Sequence, residues 1–178
     1  MKRPVRKFGI AGQLAPAWSA QRWVDAQGRP RAPLTLSDLS GRWKILFCFQ
    51  SWCPGCHSHG APTMRALVQG LAGQDSVALL AVQTVFEGFE VNTYDAMLGF
   101  QAEHRLAIPF AHDPGDAATG LRSDILMRYR TGGTPWFIVI DPQDRVVFND
   151  FHVDADGLVR QVAAAPGVDS ASGEGPLA

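Results

Sequence analysis

The chain has 178 residues, 46% of them hydrophobic and 19% charged, the balance of one globular domain with a sizeable core. A net charge of -1 argues against nucleic acid or an anionic membrane surface as a partner. No apolar run reaches the roughly 20 residues of a membrane helix, and Cys48, Cys53 and Cys56 are too few for a disulfide scaffold.

The opening MKRPVRKFGIAGQLAPAW is basic but lacks the apolar stretch of a secretory signal. A cytoplasmic location is therefore expected, or a periplasmic one if an export signal has been trimmed. Residues 1–17 read as an N-terminal extension. From Trp23, WVDAQGRPRAPLTLSDLSGRW reads as a short hairpin and a capped turn feeding the first core strand, ILFCF from Ile45. VALLAV from Val77 and WFIVI from Trp136 are two further core strands. All three are apolar at both alternating positions, as strands covered on both faces are. After the first, Met64, Leu67, Val68 and Leu71 mark one stripe of a helix at i, i+3, i+4, i+7. Tyr94 to His104 and residues 121–129 are weaker helical segments with a short strand between them. DPQDR then turns the chain, and VVF from Val146 returns as the second strand of a hairpin. Asp154 or Asp156 caps a last helix through Val162. The small, polar APGVDSASGEGPLA cannot bury enough apolar surface to offset its ordering entropy, so residues 166–178 are expected to be a disordered tail.

Alternating strands and helices followed by a hairpin predict an α/β fold: a central mixed β-sheet with helices on both faces, an N-terminal β-hairpin extension and an inserted β/α segment. One domain is expected over residues 18–165.

The chemistry concentrates in WCPGCHSH, residues 52–59. Cys-x-x-Cys is a redox dithiol, Cys-x-x-Cys-His is a haem attachment site, and paired Cys and His bind metal. The motif follows a buried strand and precedes a helix, which puts Cys53 at the strand-to-helix turn and Cys56 in the first helical turn. First-turn amides are unsatisfied and the helix dipole is positive there, so a Cys53 thiolate is stabilised. Pro54 suits that position because its missing N–H is not needed. In the redox reading Cys53, nearer solvent, attacks a disulfide and the more buried Cys56 resolves the mixed disulfide. Trp52 shapes the surface beside Cys53. Haem attachment fits neither the strand-turn-helix setting nor the missing export signal. Metal binding through Cys53, Cys56 and one His remains open at this point.

FQSWCPGC after an apolar strand, with GGTPWFIVID downstream, resembles the thioredoxin-like superfamily. The approach LTLSDLSGRWKILFCFQSWCPGC is similar to its TlpA-like and AhpC/TSA-type redoxin branch more than to thioredoxin itself, and so is the long segment between the second and third core strands. The resemblance covers roughly residues 18 to 165 and implies a thioredoxin-like fold. It implies that Cys53 and Cys56 are the redox pair and that Thr134-Pro135 is the Thr-cis-Pro loop facing it. In the family the backbone beside that proline binds extended substrate and keeps metal off the dithiol. With Trp52, Pro54 and Gly55 these residues would form the substrate-binding face. Pro62 resembles the proline that bends the active-site helix. The implied activity is thiol–disulfide oxidoreduction of protein or small-molecule disulfides, recharged by an upstream thiol reductant. No cofactor or resident metal is implied.

The chain departs from the pattern in several places. Phe47 stands where thioredoxins carry a buried Asp. His59 stands where TlpA-like reductases often carry Glu, and a histidine there is a candidate to move the Cys56 proton. Pro-Gly replaces thioredoxin's Gly-Pro, so the potential does not transfer. Gln50 stands where peroxiredoxins place Thr, which weakens the alternative of a thiol-dependent peroxidase. A third reading is a non-catalytic metal-binding module using Cys53, Cys56 and His59. The loop TVFEGFEVNT follows the second core strand and reaches the same sheet edge as Cys53, so Phe86 and Phe89 are candidates for an apolar rim. His57 is expected to be an exposed helix residue, Cys48 a core residue, and His104, His112 and His152 to have no role.

Overall fold

The computed structural model describes residues 7–165. A seven-stranded mixed sheet forms the centre, from β1 (Arg22–Val24), β2 (Pro30–Arg31), β3 (Trp43–Phe49), β4 (Val77–Thr84), β5 (Phe110–Asp113), β6 (Trp136–Ile140) and β7 (Val146–Asp150). Its spatial order is β2-β1-β5-β4-β3-β6-β7. Strands β3, β4 and β5 run parallel, β1 is antiparallel to β5, β6 to β3, and β7 to β6. The predicted alternation, the closing hairpin and the inserted β/α segment are all present. The N-terminal hairpin joins the sheet through that insertion, because β1 pairs with β5 and not with a strand of the central pair.

The double-sided burial of β3 explains its unbroken apolar run. Ile45, Phe47 and Phe49 enter one core with Met64 and Leu67 of α1 (Ala61–Gly70), Met97 and Phe100 of α2 (Tyr94–His104), and Leu158 and Val162 of α4 (Ala155–Ala164). Leu46 and Cys48 point the other way, into a second core with Ile125 and Tyr129 of α3 (Asp124–Tyr129). Cys48 is fully buried, as expected of a core residue, and burial drives its thiol well above the ordinary range.

Helices α2, α3 and α4 start at side-chain caps. Thr93 accepts a hydrogen bond from the Ala96 N–H, and of the two candidates at the last helix Asp154 is the cap, accepting from the Gly157 N–H. The segment 121–129 is shorter as a helix than expected. Leu121 is held in a backbone bridge with Asp116, and Ser123 caps the chain so that helix begins only at Asp124. In the N-terminal extension, the Gly12 and Ala15 N–H groups donate to the Val146 and Asp144 carbonyls, and Ile10 is buried in the second core. The tail expected over 166–178 lies outside the described residues.

The parallel strands bring the chain to one edge of the sheet. Residues 50–56 follow β3 and residues 85–93 follow β4. The Thr134–Pro135 peptide, which is cis, precedes antiparallel β6 at that same edge. Strand β7 runs back alongside β6, so Phe151 emerges there too.

Candidate active site

The chain turns sharply after β3. The Cys53 N–H donates to the Gln50 carbonyl at 3.0 Å, and the Cys56 and His57 N–H groups both reach the Cys53 carbonyl, at 3.0 and 3.3 Å. Cys56–Gly60 is a π-helical stretch that passes directly into α1. Pro62 supplies the reason: with no N–H it cannot close the α-helical bond to the Ser58 carbonyl, and its ring crowds that turn. Gly60 is the matching small residue. A Cβ there would stand 2.6 Å from the Phe47 ring and 2.9 Å from Pro135. Phe47, the residue in place of the thioredoxin acid, is packed between Phe137 and Phe49, with ring centroids at 5.2 and 5.5 Å.

The two thiols occupy opposite environments. Cys53 is half-buried and Cys56 is buried completely. The Cys56 N–H donates to the Cys53 Sγ at 3.3 Å, and that sulfur lies 3.5 Å from the Thr134 carbonyl oxygen. The Cys53 pKa is pulled down to about 5, first by a hydrogen bond from the Cys56 thiol, against the opposing effect of burial, and further by bonds from Thr134 and the Cys56 and Gly55 amides. Cys56 moves far the other way, first because burial disfavours its thiolate and then because its S–H is held in a hydrogen bond to the Cys53 sulfur.

A groove of 560 Å³ opens over Cys53, lined by Trp52, Pro54, Phe86, Thr134 and Phe151 among others. Trp52 is 49% exposed, and its indole lies so close over Gly88 that a Cβ there would sit 3.0 Å from it. Gly88 has φ +56°, a second reason for glycine at that position. Gly55 does not line the groove but faces Pro135, which lies 3.3 Å from the site of a Gly55 Cβ. Of the proposed aromatic rim, Phe86 lines the groove; Phe89 is half-buried outside the groove lining.

Beneath the groove lies a polar lattice of buried amides. Gln50 Oε1 accepts from the Phe86 and Glu87 N–H groups at 3.1 and 3.4 Å. Gln83, inside β4, accepts from the Ser51 N–H at 3.1 Å and from its hydroxyl, and donates to the Asn92 and Thr93 carbonyls at 3.1 and 2.8 Å. Asn92 Oδ1 accepts from the Trp52 N–H at 3.2 Å while its amide donates to the Glu87 and Gly88 carbonyls, both at 3.1 Å. His112 Nδ1 is 3.1 Å from Gln83 Nε2, and burial pushes its pKa down to about 4, so it is a neutral acceptor there. Gln83 carried one sequence signal, a long amide inside an apolar strand. Asn92 and Phe151 carried none.

The histidines differ from their expected placement. His59 is exposed, its Nδ1 lies 3.0 Å from Ser58 Oγ, and no hydrogen bond joins it to Cys53 or Cys56 among the described residues. His57 is not an exposed helix residue. Its Nε2 donates to the Ser51 carbonyl at 2.7 Å, its Nδ1 lies 2.8 Å from His104 Nε2, and its ring packs on Phe100. His104, which had no motif around it, is thereby drawn against the start of the active-site helix.

The Redoxin family profile matches residues 10–165. The chain belongs to the Redoxin family. A thioredoxin-like superfamily protein of known structure is 32% identical to this redoxin, covering 84% of it and 94% of the other chain with a TM-score of 0.73. A thiol-disulfide isomerase from Corynebacterium glutamicum is 26% identical over 87% of the redoxin and 98% of its own chain, also with a TM-score of 0.73. A secreted disulfide oxidoreductase from Mycobacterium tuberculosis shares the fold, with 20% identity, coverage of 81% and 95%, and a TM-score of 0.55. No curated protein matches the chain. These relatives make the redoxin one of the thiol–disulfide oxidoreductase-like members of the thioredoxin-like fold.

Proposed function

We propose that this redoxin is an enzyme that exchanges thiols and disulfides through Cys53 and Cys56. The observation that carries the reading is the opposed pair of thiols: a half-exposed Cys53 with a depressed pKa in an apolar-rimmed groove, and a buried, protonated Cys56 bonded to it. The Cys53 thiolate attacks one sulfur of a substrate disulfide, a Cys53–substrate bond forms, and the other substrate sulfur leaves as a thiolate that takes a proton from water. Cys56 then releases its proton to solvent and its sulfur attacks Cys53. The substrate's remaining sulfur leaves, and two electrons have passed from the dithiol to the substrate. An external thiol reductant returns the enzyme disulfide to the dithiol. Run in reverse, the same steps oxidise a substrate dithiol.

Trp52, Pro54, Phe86 and the Thr134 carbonyl supply the binding face for an extended chain beside the disulfide. Gly55 and Pro135 pack together behind it and hold the Thr134 carbonyl over Cys53. His59 takes no part in this scheme, because it stands at the exposed side of the π-helical stretch with Ser58 as its hydrogen-bond partner.

The test is a redox titration read by thiol alkylation and mass. A single reversible two-electron couple that disappears in Cys53→Ser supports the reading. Absence of a reversible couple in the folded wild-type protein overturns it.

A further inference from the structure

We propose that His57, Glu103 and His104 form a binding site for a divalent transition-metal ion of the zinc class, separate from the dithiol. Their ligand atoms, one per residue, all lie within 4.8 Å of one another. Two imidazoles and one carboxylate are a donor set that zinc accepts readily, with a fourth position left for water. The spacing also suits the ion. Ligands about 2.1 Å from a tetrahedral zinc stand about 3.4 Å apart. Here His57 Nδ1 is 2.8 Å from His104 Nε2 and 3.8 Å from Glu103 Oε1, values on either side of that edge.

A second observation concerns orientation. The Ser51 carbonyl can only accept, so the 2.7 Å contact places a hydrogen on His57 Nε2. In the neutral ring the lone pair is then on Nδ1 and accepts from the His104 Nε2–H; binding an ion shifts that His104 proton to its Nδ1 and turns both facing nitrogens to the metal. Metal-bound histidines are commonly fixed this way, by a backbone carbonyl on the far nitrogen. His104 is 9% exposed and its ring lies tilted at 45° against Phe100 with centroids 4.3 Å apart, and its backbone carbonyl accepts from Arg65 Nη2 at 2.8 Å. Glu103, 64% exposed, is free to close on an ion. Bound there, the ion would tie the end of α2 to the first residues after Cys56.

The dithiol is the competing ligand set, so the experiment removes it. Zinc chloride is titrated by calorimetry into the tag-free Cys53→Ser/Cys56→Ser protein, with unfolding temperature measured in parallel. One equivalent of zinc and a raised unfolding midpoint are expected. Glu103→Gln, at an exposed position that should not disturb folding, is expected to weaken binding about tenfold or more, and His104→Gln to abolish it. Failure of the thiol-free protein to bind zinc overturns the proposal. So does binding that Glu103→Gln leaves unchanged. If His104→Gln does not fold, the Glu103→Gln comparison decides alone.

Discussion

The backbone N–H of Cys56 donates to the Sγ of Cys53 at 3.3 Å, while the Cys56 thiol is the largest single influence lowering the Cys53 pKa. The buried cysteine thus activates the exposed one before it resolves anything. Alkylation of Cys53 in the reduced protein should follow a titration centred near its lowered pKa of about 5, against about 8.5 for a free cysteine. The rate should be flat from pH 6.5 to 8. Cys56→Ala removes the leading hydrogen bond, and the midpoint should move upward. A midpoint that stays put would deny Cys56 this role.

The same depression bears on the redox potential. A low Cys53 pKa stabilises the reduced protein, because the thiolate exists only in that state. A value of about 5 lies between about 7 for thioredoxin and about 3.5 for DsbA. The couple is therefore expected between about -270 and about -120 mV. The folded pKa of Cys53 lies below its unfolded value, so its contribution to the reduced fold is complete above the unfolded pKa and is lost as pH falls through about 5. Denaturant unfolding of reduced wild-type and Cys53→Ser proteins should converge as pH is lowered from 8 to 5.

What the sequence made legible was local. The double-sided run of β3, the Cys-x-x-Cys at a strand-to-helix turn and the Thr-Pro before β6 are each contained in a few consecutive residues. The resemblance assembled them correctly because their order along the chain is the order of the fold. What escaped depends on register between distant segments. His57 meets His104 across 47 residues, and Ser51 meets Gln83 across 32. Phe151 reaches the groove only because β7 runs parallel to β3, one strand removed. No periodicity in a single segment encodes such contacts. His59 had the more suggestive place in the motif, but the π-helical stretch turns it outward and His57 inward.

Gly60 tests the packing that joins the motif to the proline loop. A methyl group there would meet the Phe47 ring at 2.6 Å and Pro135 at 2.9 Å, and neither can retreat, since Phe47 is stacked between two other rings. Gly60→Ala should destabilise the reduced protein by about 1–3 kcal/mol. Phe47→Leu in the same chain should recover part of that loss. Denaturation midpoints equal to wild type would mean that Pro135 is not held against the active-site helix as described. Gly55→Ala, with its closest contact at 3.3 Å, should cost less.

Asn92 tests whether the loop after β4 is part of the binding face. It is 1% exposed, accepts from the Trp52 N–H, and donates to two carbonyls of that loop. Asn92→Ala leaves the Trp52 N–H and the Glu87 carbonyl without this partner, while the Gly88 carbonyl still accepts from the backbone N–H groups of residues 91 and 92, a loss of about 1–3 kcal/mol if the two stay buried. The more informative effect is selective. Cys53 keeps its own hydrogen bonds to Cys56 and Thr134, so its alkylation by a small reagent should be unchanged. Trp52 and the loop at Glu87 and Gly88, next to Phe86, lose their common anchor, so amide hydrogen exchange over residues 86–92 should quicken and reduction of a protein disulfide should slow several-fold. Slowing of both reactions to the same extent would place the damage at the thiol instead. Unchanged protein-disulfide reduction, with the loop shown to be mobile, would remove Trp52 and Phe86 from the substrate-binding face.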